Sequence, residues 1–331
     1  YTLSLHDALP ILRFLQTECL DAVFGGSEAN VAVALSQLGQ PAAFVTKLPD
    51  NVVGEMALQV LRRYGVDTSA VIRGGKRLGI YFLEKGFSSC SSICTYDRAH
   101  SAIAEAKPEE FDWKRIFEEA GWFHFSGITP ALSDEAAEIC LQACQTAREL
   151  GIGVSCDVNY RSKLWSMDKA REVMSEIGRY VDVAIVNEEE AAVLGADVRV
   201  DEAMNAEVYA QMAEQLNKKF DFGKIASVAR VPLENGLAVQ GMLWDRNGIC
   251  RSRRYPLESV VDPLGAGDAF AVALLYCFLK AEIAENQETV EFASAACALK
   301  HRIKGDYLLV KPADVLALTD NVRGRVCGVQ R

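Results

Sequence analysis

The sequence has no apolar run long enough to cross a bilayer. Its longest, AFAVALLYCFL at 269–279, falls well short of the roughly 20 residues a membrane helix needs. It has no low-complexity tract, and glycine and proline stand near ordinary levels, so neither a disordered tail nor a fibrous repeat is indicated. Histidine is scarce: the chain has four, none at ligand spacing from a cysteine. The ten cysteines form no CxxC pair, although Cys140 and Cys144, like Cys90 and Cys94, are four apart. Buried free thiols in a reducing compartment are therefore expected, rather than a metal site. Lys and Arg are scattered through a chain of net charge −10, which argues against nucleic acid or an anionic membrane surface as partners. No GxGxxG follows a first strand, which weakens a nicotinamide-dependent reading.

What is present suits one large α/β domain, or a core with a small appendage. Half of the residues are hydrophobic, enough for a sizeable core. From about residue 119, strand-like and helix-like segments alternate. GWFHFSG (121–127) reads as a strand, followed by a helix over 133–151 with Ser133 as N-cap and Gly151 at its end. IGVSCDVN (152–159) reads as the next strand and VDVAIVN (181–187) as a buried one, on either side of a helix over 168–180. A helix at 206–220 leads to KIASVA, then to a hairpin across DRNG, and helices are expected at 268–280, 288–301 and 312–318. Such alternation predicts an open, mostly parallel sheet with helices on both faces. Before residue 100 the β-like pieces at about 12–24 and 78–99 do not alternate with helices, and predict a small separate sheet standing off the core as a lid.

Three motifs carry chemistry. In DPLGAGDAF (262–270), Gly265, Ala266 and Gly267 lead into an apolar helix. The unpaired N–H groups and positive dipole end of such a helix favour a phosphate, and small residues let it approach. Asp268 sits at the helix start, where a carboxylate can take the proton of an attacking alcohol. In GGSEAN (25–30), Gly25 and Gly26 allow close backbone approach to a ligand and Asn30 offers a donor and an acceptor. In NEEE (187–190), at the carboxyl end of a strand, Asn187 and Glu190 suit a hydrated Mg²⁺, with Glu190 as the metal carboxylate. Taken alone, the first two motifs read better as ordinary junctions between elements and the third equally well as a solvated helix start; their order and combination are more specific.

That combination resembles the ribokinase/PfkB family of carbohydrate kinases. GGSEANVAVALSQLG with TKLPDNVVGE is similar to the family's amino-terminal signature, and DPLGAGDAFAVALL to its carboxyl-terminal one; the likeness runs over residues 12–331. YDRAHSAIAEA, WFHFSGITPALS, DVNYRSKLW, ALKHRIKGD and the tail GRV…VQR further resemble the subgroup acting on 2-keto-3-deoxygluconate. The resemblance implies a ribokinase-like three-layer core with a β-sheet lid, ATP and Mg²⁺, and phosphorylation of a sugar acid's primary hydroxyl. Arg98 and Arg161 would pair with the substrate carboxylate, since guanidinium binds carboxylate bidentately. Tyr81 and Tyr96 would bond hydroxyl or keto oxygens, and Asp306, by resemblance, a distal hydroxyl. A homo-oligomer in the cytoplasm completes the expectation. A fructokinase- or ribokinase-type enzyme for neutral sugars, and a non-catalytic sugar-acid-binding protein on the same fold, stay open as alternatives.

Two stretches depart from the subgroup: SVARVPLENG stands where Thr-Leu-Arg-Glu is common, and DPLGAG where DRVGGG is. The opening YTLSLHDALPI is a third oddity. Family members begin with a core strand, and no such strand precedes Leu12. The eleven residues match, codon by codon, a translation of a common sequencing adapter. Ser4, His6, Asp7 and Pro10 interrupt any strand pattern. Residues 1–11 are accordingly expected to be an artefact on a chain whose natural start lies upstream, and their removal to leave stability unchanged.

Overall fold

A computed structural model describes residues 1–7, 14–84, 92–197, 205–280 and 285–322. Residues 8–13, Cys90, Cys327 and the tail GRV…VQR lie outside them. The elements in chain order are β1 (Thr2–Asp7), β2 (Leu20–Gly25), α1 (Ser27–Gln37), β3 (Thr46–Leu48), α2 (Val52–Arg63), β4 (Val71–Arg73), β5 (Gly79–Glu84), β6 (Ile93–Asp97) and α3 (Trp113–Ile116). There follow β7 (Trp122–Ser126), α4 (Asp134–Glu149), β8 (Gly153–Asp157), α5 (Met167–Ile177), β9 (Val183–Ile185), α6 (Glu188–Val193) and α7 (Ala206–Phe220). The last are β10 (Lys224–Leu233), β11 (Gly236–Asp245), β12 (Gly248–Arg251), β13 (Tyr255–Pro256), α8 (Ala266–Leu279), α9 (Asn286–Lys300) and α10 (Pro312–Val322).

The main sheet has seven strands in the order β12-β11-β10-β9-β8-β7, with β13 also on β11. β7 to β10 are parallel; β11 is antiparallel to β10, β12 and β13, so it alone runs against the other six. Side chains alternate across the sheet with the strand period of two. Ala184, Ile225, Met242 and Trp244 face one cluster with α4, α5, α6 and α7. Ile185, Ala226 and Leu243 face the other, with α1, α8, α9 and α10. This is the three-layer core expected. α8 is apolar all round because it is buried all round: Phe270, Ala271, Val272, Ala273 and Leu274 have no exposed surface. Each large apolar side chain so buried stabilises by about 1.5–3 kcal/mol. The N-cap expected at Ser133 is made, its Oγ accepting from Ala136 N at 3.1 Å. No helix among the described residues is long and apolar enough to cross a membrane. Cys140, Cys144, Cys156, Cys277 and Cys297 are buried free thiols, and burial pushes each one up.

The lid is a four-stranded sheet in the order β2-β1-β5-β6. Here the expectation that the opening residues carry no strand pattern fails. Thr2–Asp7 is an inner strand of the lid, antiparallel to β2 and parallel to β5. Thr2 and Ser4 do not interrupt the pattern but share one face of it. Thr2 and Ser4 alternate on the buried side; the Thr2 hydroxyl donates to Gly25 O at 3.3 Å, and Ser4 hydrogen-bonds Tyr81. Tyr1 stacks on Phe24 at 6.0 Å between ring centroids and meets Phe44 edge-on at 5.7 Å. The described residues before Leu12 thus form a lid strand and not a core strand. β7 is an edge of the main sheet, and among the described residues β3 and β4 pair only with each other. A cavity of about 770 Å³ lies between β3 and β7, lined by Phe44, Phe111, Trp113, Phe123 and Phe125 and reaching Ser27, Glu28 and Arg98.

Candidate active site

Two helix starts meet beneath the lid. β2 ends in Gly25-Gly26, and Gly26 has φ +138°, a conformation that side chains rarely adopt. A Cβ on Gly25 would overlap the Asp306 carboxylate. The turn launches α1 with Ser27 and Asn30 on one side of the helix. The second start is α8, whose N-cap Gly265 has φ +70°; a Cβ there would overlap the carbonyl oxygen of Asp306. Ala266 and Gly267 complete the first turn, where Ala266 N donates to Pro263 O at 3.3 Å, and the helix dipole makes this end weakly positive. Asp268 follows, and α1 holds it by both oxygens: Ser27 Oγ donates to Oδ1 at 2.6 Å and Asn30 Nδ2 to Oδ2 at 2.7 Å. Burial raises the Asp268 pKa, the bonds from Ser27 and Asn30 oppose the rise, Glu28 adds to it and the Arg161 charge lowers it. A carboxylate raised in this way holds a proton more tightly than an ordinary one, which suits it to accept one.

The lid covers this cluster with Tyr81 of β5 and Tyr96 of β6, which face each other directly in the ladder with rings 6.4 Å apart. Tyr81 OH donates to Asp306 Oδ2 at 2.8 Å. Burial pushes Asp306 up to about 6; the Tyr81 bond opposes this, and the nearby charges of Asp262 and Asp268 add to it. Arg98, just past β6, lays its guanidinium 4.5 Å from the Tyr96 ring centroid and 5.7 Å from that of Tyr81. Its Nε is buried with no hydrogen-bond partner among the described residues, and desolvation lowers its pKa. Arg161 bonds the carbonyl of Tyr160 at 2.9 Å, and its charge acts on Tyr96, Asp157, Glu190 and Asp268.

The structure thus brings Gly25, Gly26, Asn30, Tyr81, Tyr96, Arg98, Arg161, Asp306 and the Gly265–Asp268 turn to one place. Asn187 and Glu190 take a second role that the sequence reading did not assign. They form a capping box on α6: Asn187 Oδ1 accepts from Glu190 N at 2.9 Å and Glu190 Oε2 accepts from Asn187 N at 2.9 Å. Glu190 Oε1 also accepts from Tyr160 N at 3.2 Å. Each carboxylate oxygen keeps further acceptor capacity. Among the described residues no group of three or more His, Cys, Asp or Glu could hold a metal ion. Mg²⁺ asks for no such group, because it keeps several waters and needs only one or two carboxylates beside substrate phosphates, and Glu190 with Asn187 would be compatible with that. SVARVPLENG forms the outer half of β10 and the turn into β11, in antiparallel pairing.

Four residues of the cluster were not singled out by sequence. Ser27 lies inside GGSEAN but was passed over for Asn30. Glu28 Oε1 accepts from Ser126 N at 3.1 Å and Thr129 Oγ1 at 2.6 Å, tying α1 to the end of β7. Asn159, at φ +45°, reaches Ser126 Oγ at 3.2 Å and Asp157 Oδ2 at 3.4 Å. Burial raises Asp157 well above the carboxylate range, and the Glu190 and Asp268 charges add to it. The DVNY stretch was the available signal: an Asp at the end of a buried strand and an Asn just past it, where α/β sheets bind ligands.

Comparison with known proteins places the chain in a family. Residues 16–311 match the profile of the pfkB family carbohydrate kinases. A 2-dehydro-3-deoxygalactonokinase from Haloferax volcanii is 34% identical over 306 residues, 92% of this chain and 89% of the relative. A 2-dehydro-3-deoxygluconokinase from Bacillus subtilis is 28% identical over 285 residues, 85% of this chain and 81% of the relative. The crystal structure of a 2-dehydro-3-deoxygluconokinase from Thermotoga maritima superposes with a TM-score of 0.91 at 44% identity, covering 96% of this chain and 95% of that one. A carboxylate held at a helix start, a glycine-bounded turn before it and a lid of paired strands therefore coincide with a match over most of the chain, and the protein belongs to the pfkB family of carbohydrate kinases.

Proposed function

We propose that the enzyme transfers the γ-phosphoryl group of ATP to the primary hydroxyl of 2-keto-3-deoxygluconate or its galacto epimer. The observation that carries this reading is the distribution of charge in the pocket: one fixed carboxylate at the anion-binding turn, and at the lid a buried guanidinium on two tyrosines with an unused Nε–H. Asp268 takes the proton of the primary hydroxyl as that oxygen attacks the γ-phosphorus. The bond to the bridging oxygen breaks and ADP leaves with the electron pair. The N–H groups from Gly265 to Asp268 stabilise charge on the phosphoryl oxygens in transit. Arg98 pairs with the substrate carboxylate, and Arg161 supports it from the opposite loop. Tyr96 bonds the keto oxygen, and Asp306, fixed by Tyr81, accepts from a distal hydroxyl. Glu190 and Asn187 would hold a hydrated Mg²⁺, which would supply charge neutralisation for the phosphates. The lid excludes water that would otherwise compete for the phosphoryl group. A coupled ADP-release assay with both epimeric sugar acids, fructose and ribose tests this. Turnover confined to the sugar acids supports it; preferential turnover of a neutral sugar refutes the substrate assignment.

A further inference from the structure

Lys300, the last residue of α9, is fully buried, one of the largest side chains in the protein with no exposed surface. Taking an ammonium out of water is costly unless oxygens surround it. Its Nζ donates to the carbonyl of Asp262 at 3.3 Å and to that of Ile303 at 3.0 Å. These carbonyls belong to two different loops. One, Val261–Gly265, leads into the anion-binding turn of α8; the other, His301–Asp306, carries Asp306. The same pair of loops is cross-linked again by Asp262, whose Oδ2 accepts from Gly305 N at 3.2 Å while Oδ1 accepts from Leu264 N at 3.2 Å. Val261 N and Asp262 N donate to His301 O at 2.7 and 3.2 Å. The loops meet so closely at Gly265 that no Cβ fits against the Asp306 carbonyl. A shift of either loop therefore moves Gly265, and with it the N–H groups facing the phosphate. Charge points the same way: the Asp262 and Asp268 charges raise the pKa of Asp306, and the Lys300 charge lowers it.

We propose that Lys300 is a built-in cation that positions the phosphate-binding turn, clamping the loop before α8 to the loop after α9 and offsetting the carboxylates gathered around them. It touches neither sugar nor phosphate; it acts through Asp262 and Gly265. The proposal rests on the kinase reading of the Gly265–Asp268 turn. It differs from a packing role in requiring the charge, not the four-carbon stem.

The test compares Lys300→Met, which keeps the volume and removes the charge, with Lys300→Ala, which leaves room for a small cation. Misplacing a reacting geometry by about 1 Å costs about 10²-fold in rate. Lys300→Met should therefore lose kcat on that order, with the sugar-acid KM little changed and ATP affinity by calorimetry reduced. In Lys300→Ala, ammonium chloride should restore much of the lost kcat and ATP affinity, and tetramethylammonium chloride, too large for the site, should not. Folding is followed in parallel by thermal melting. Near-normal kcat and ATP affinity in a folded Lys300→Met overturn the proposal. So does a Lys300→Ala whose loss matches its unfolded fraction and ignores ammonium. If the wild-type enzyme turns over no sugar acid, the functional reading fails, while the ATP-affinity arm still decides the role of Lys300.

Discussion

Asp306 offers a stability prediction with a definite sign. Its carboxyl is raised from the ordinary 3.8 to about 6, chiefly by burial. The native state therefore holds this proton more tightly than the unfolded chain does. Between pH 4 and 6 the native state binds more protons, so the contribution of Asp306 to stability falls as pH rises and is lowest above pH 6. At 1.36 kcal/mol per pH unit, the rise corresponds to about 3 kcal/mol of stability lost across that window. Asp306→Asn cannot ionise, yet its amide oxygen can still accept from Tyr81 OH. Relative to wild type, the variant should gain up to about 3 kcal/mol as pH increases from 4 to 7, while losing its acceptor for the sugar hydroxyl at full strength. Urea denaturation of both proteins at several pH values between 4 and 8 measures the difference directly. The two stability curves should diverge through pH 4–6 in favour of Asn and then run parallel. Curves parallel throughout would refute the burial argument for Asp306, and divergence of opposite sign would show that its charge is stabilised by partners.

Deleting residues 1–7 removes the inner lid strand and the Tyr1 ring from Phe24 and Phe44, and should destabilise by about 3 kcal/mol or more, the scale of losing a buried aromatic; an unchanged melting temperature would count against β1 as a structural element. Arg98→Ala and Arg161→Ala should each weaken the sugar acid by about 1.5–3 kcal/mol, the worth of a charge-assisted bond, with neutral sugars little affected; calorimetry against both ligand classes decides. Asn30→Ala removes a donor that lowers the Asp268 pKa, so the acid limb of the kcat/KM profile should move to higher pH; an unmoved limb would place the titration elsewhere.

Much of the fold was legible because local pattern and burial agree. The β–α alternation after residue 119, the Ser133 cap and the all-apolar α8 each follow from one layer packing on the next. The site was legible where backbone chemistry demanded special residues: Gly26 and Gly265 need positive φ, and Asp268 must follow the turn. The opening strand was misread because its buried face is polar. Thr2 and Ser4 face a hydrogen-bonding pocket rather than a greasy core, so their alternation looked like interruption. Glu28 and Asn159 escaped notice because their partners are far away in sequence. Glu28 reaches Thr129, and Asn159 reaches Ser126, only once the sheet has formed. Nothing in the sequence marks Lys300, and only tertiary structure shows its ammonium donating to carbonyls of the two loops that meet at Gly265.

The central claim is that Asp268 is the base of a sugar-acid kinase, and the measurement that tests it most directly is kcat for Asp268→Asn alongside calorimetric binding of 2-keto-3-deoxygluconate. Asn preserves the shape, can still accept from Ser27 and cannot take a proton. The account predicts a fall in kcat of about 10²–10⁴-fold with sugar-acid affinity little changed. A variant that retains near-normal kcat would contradict it.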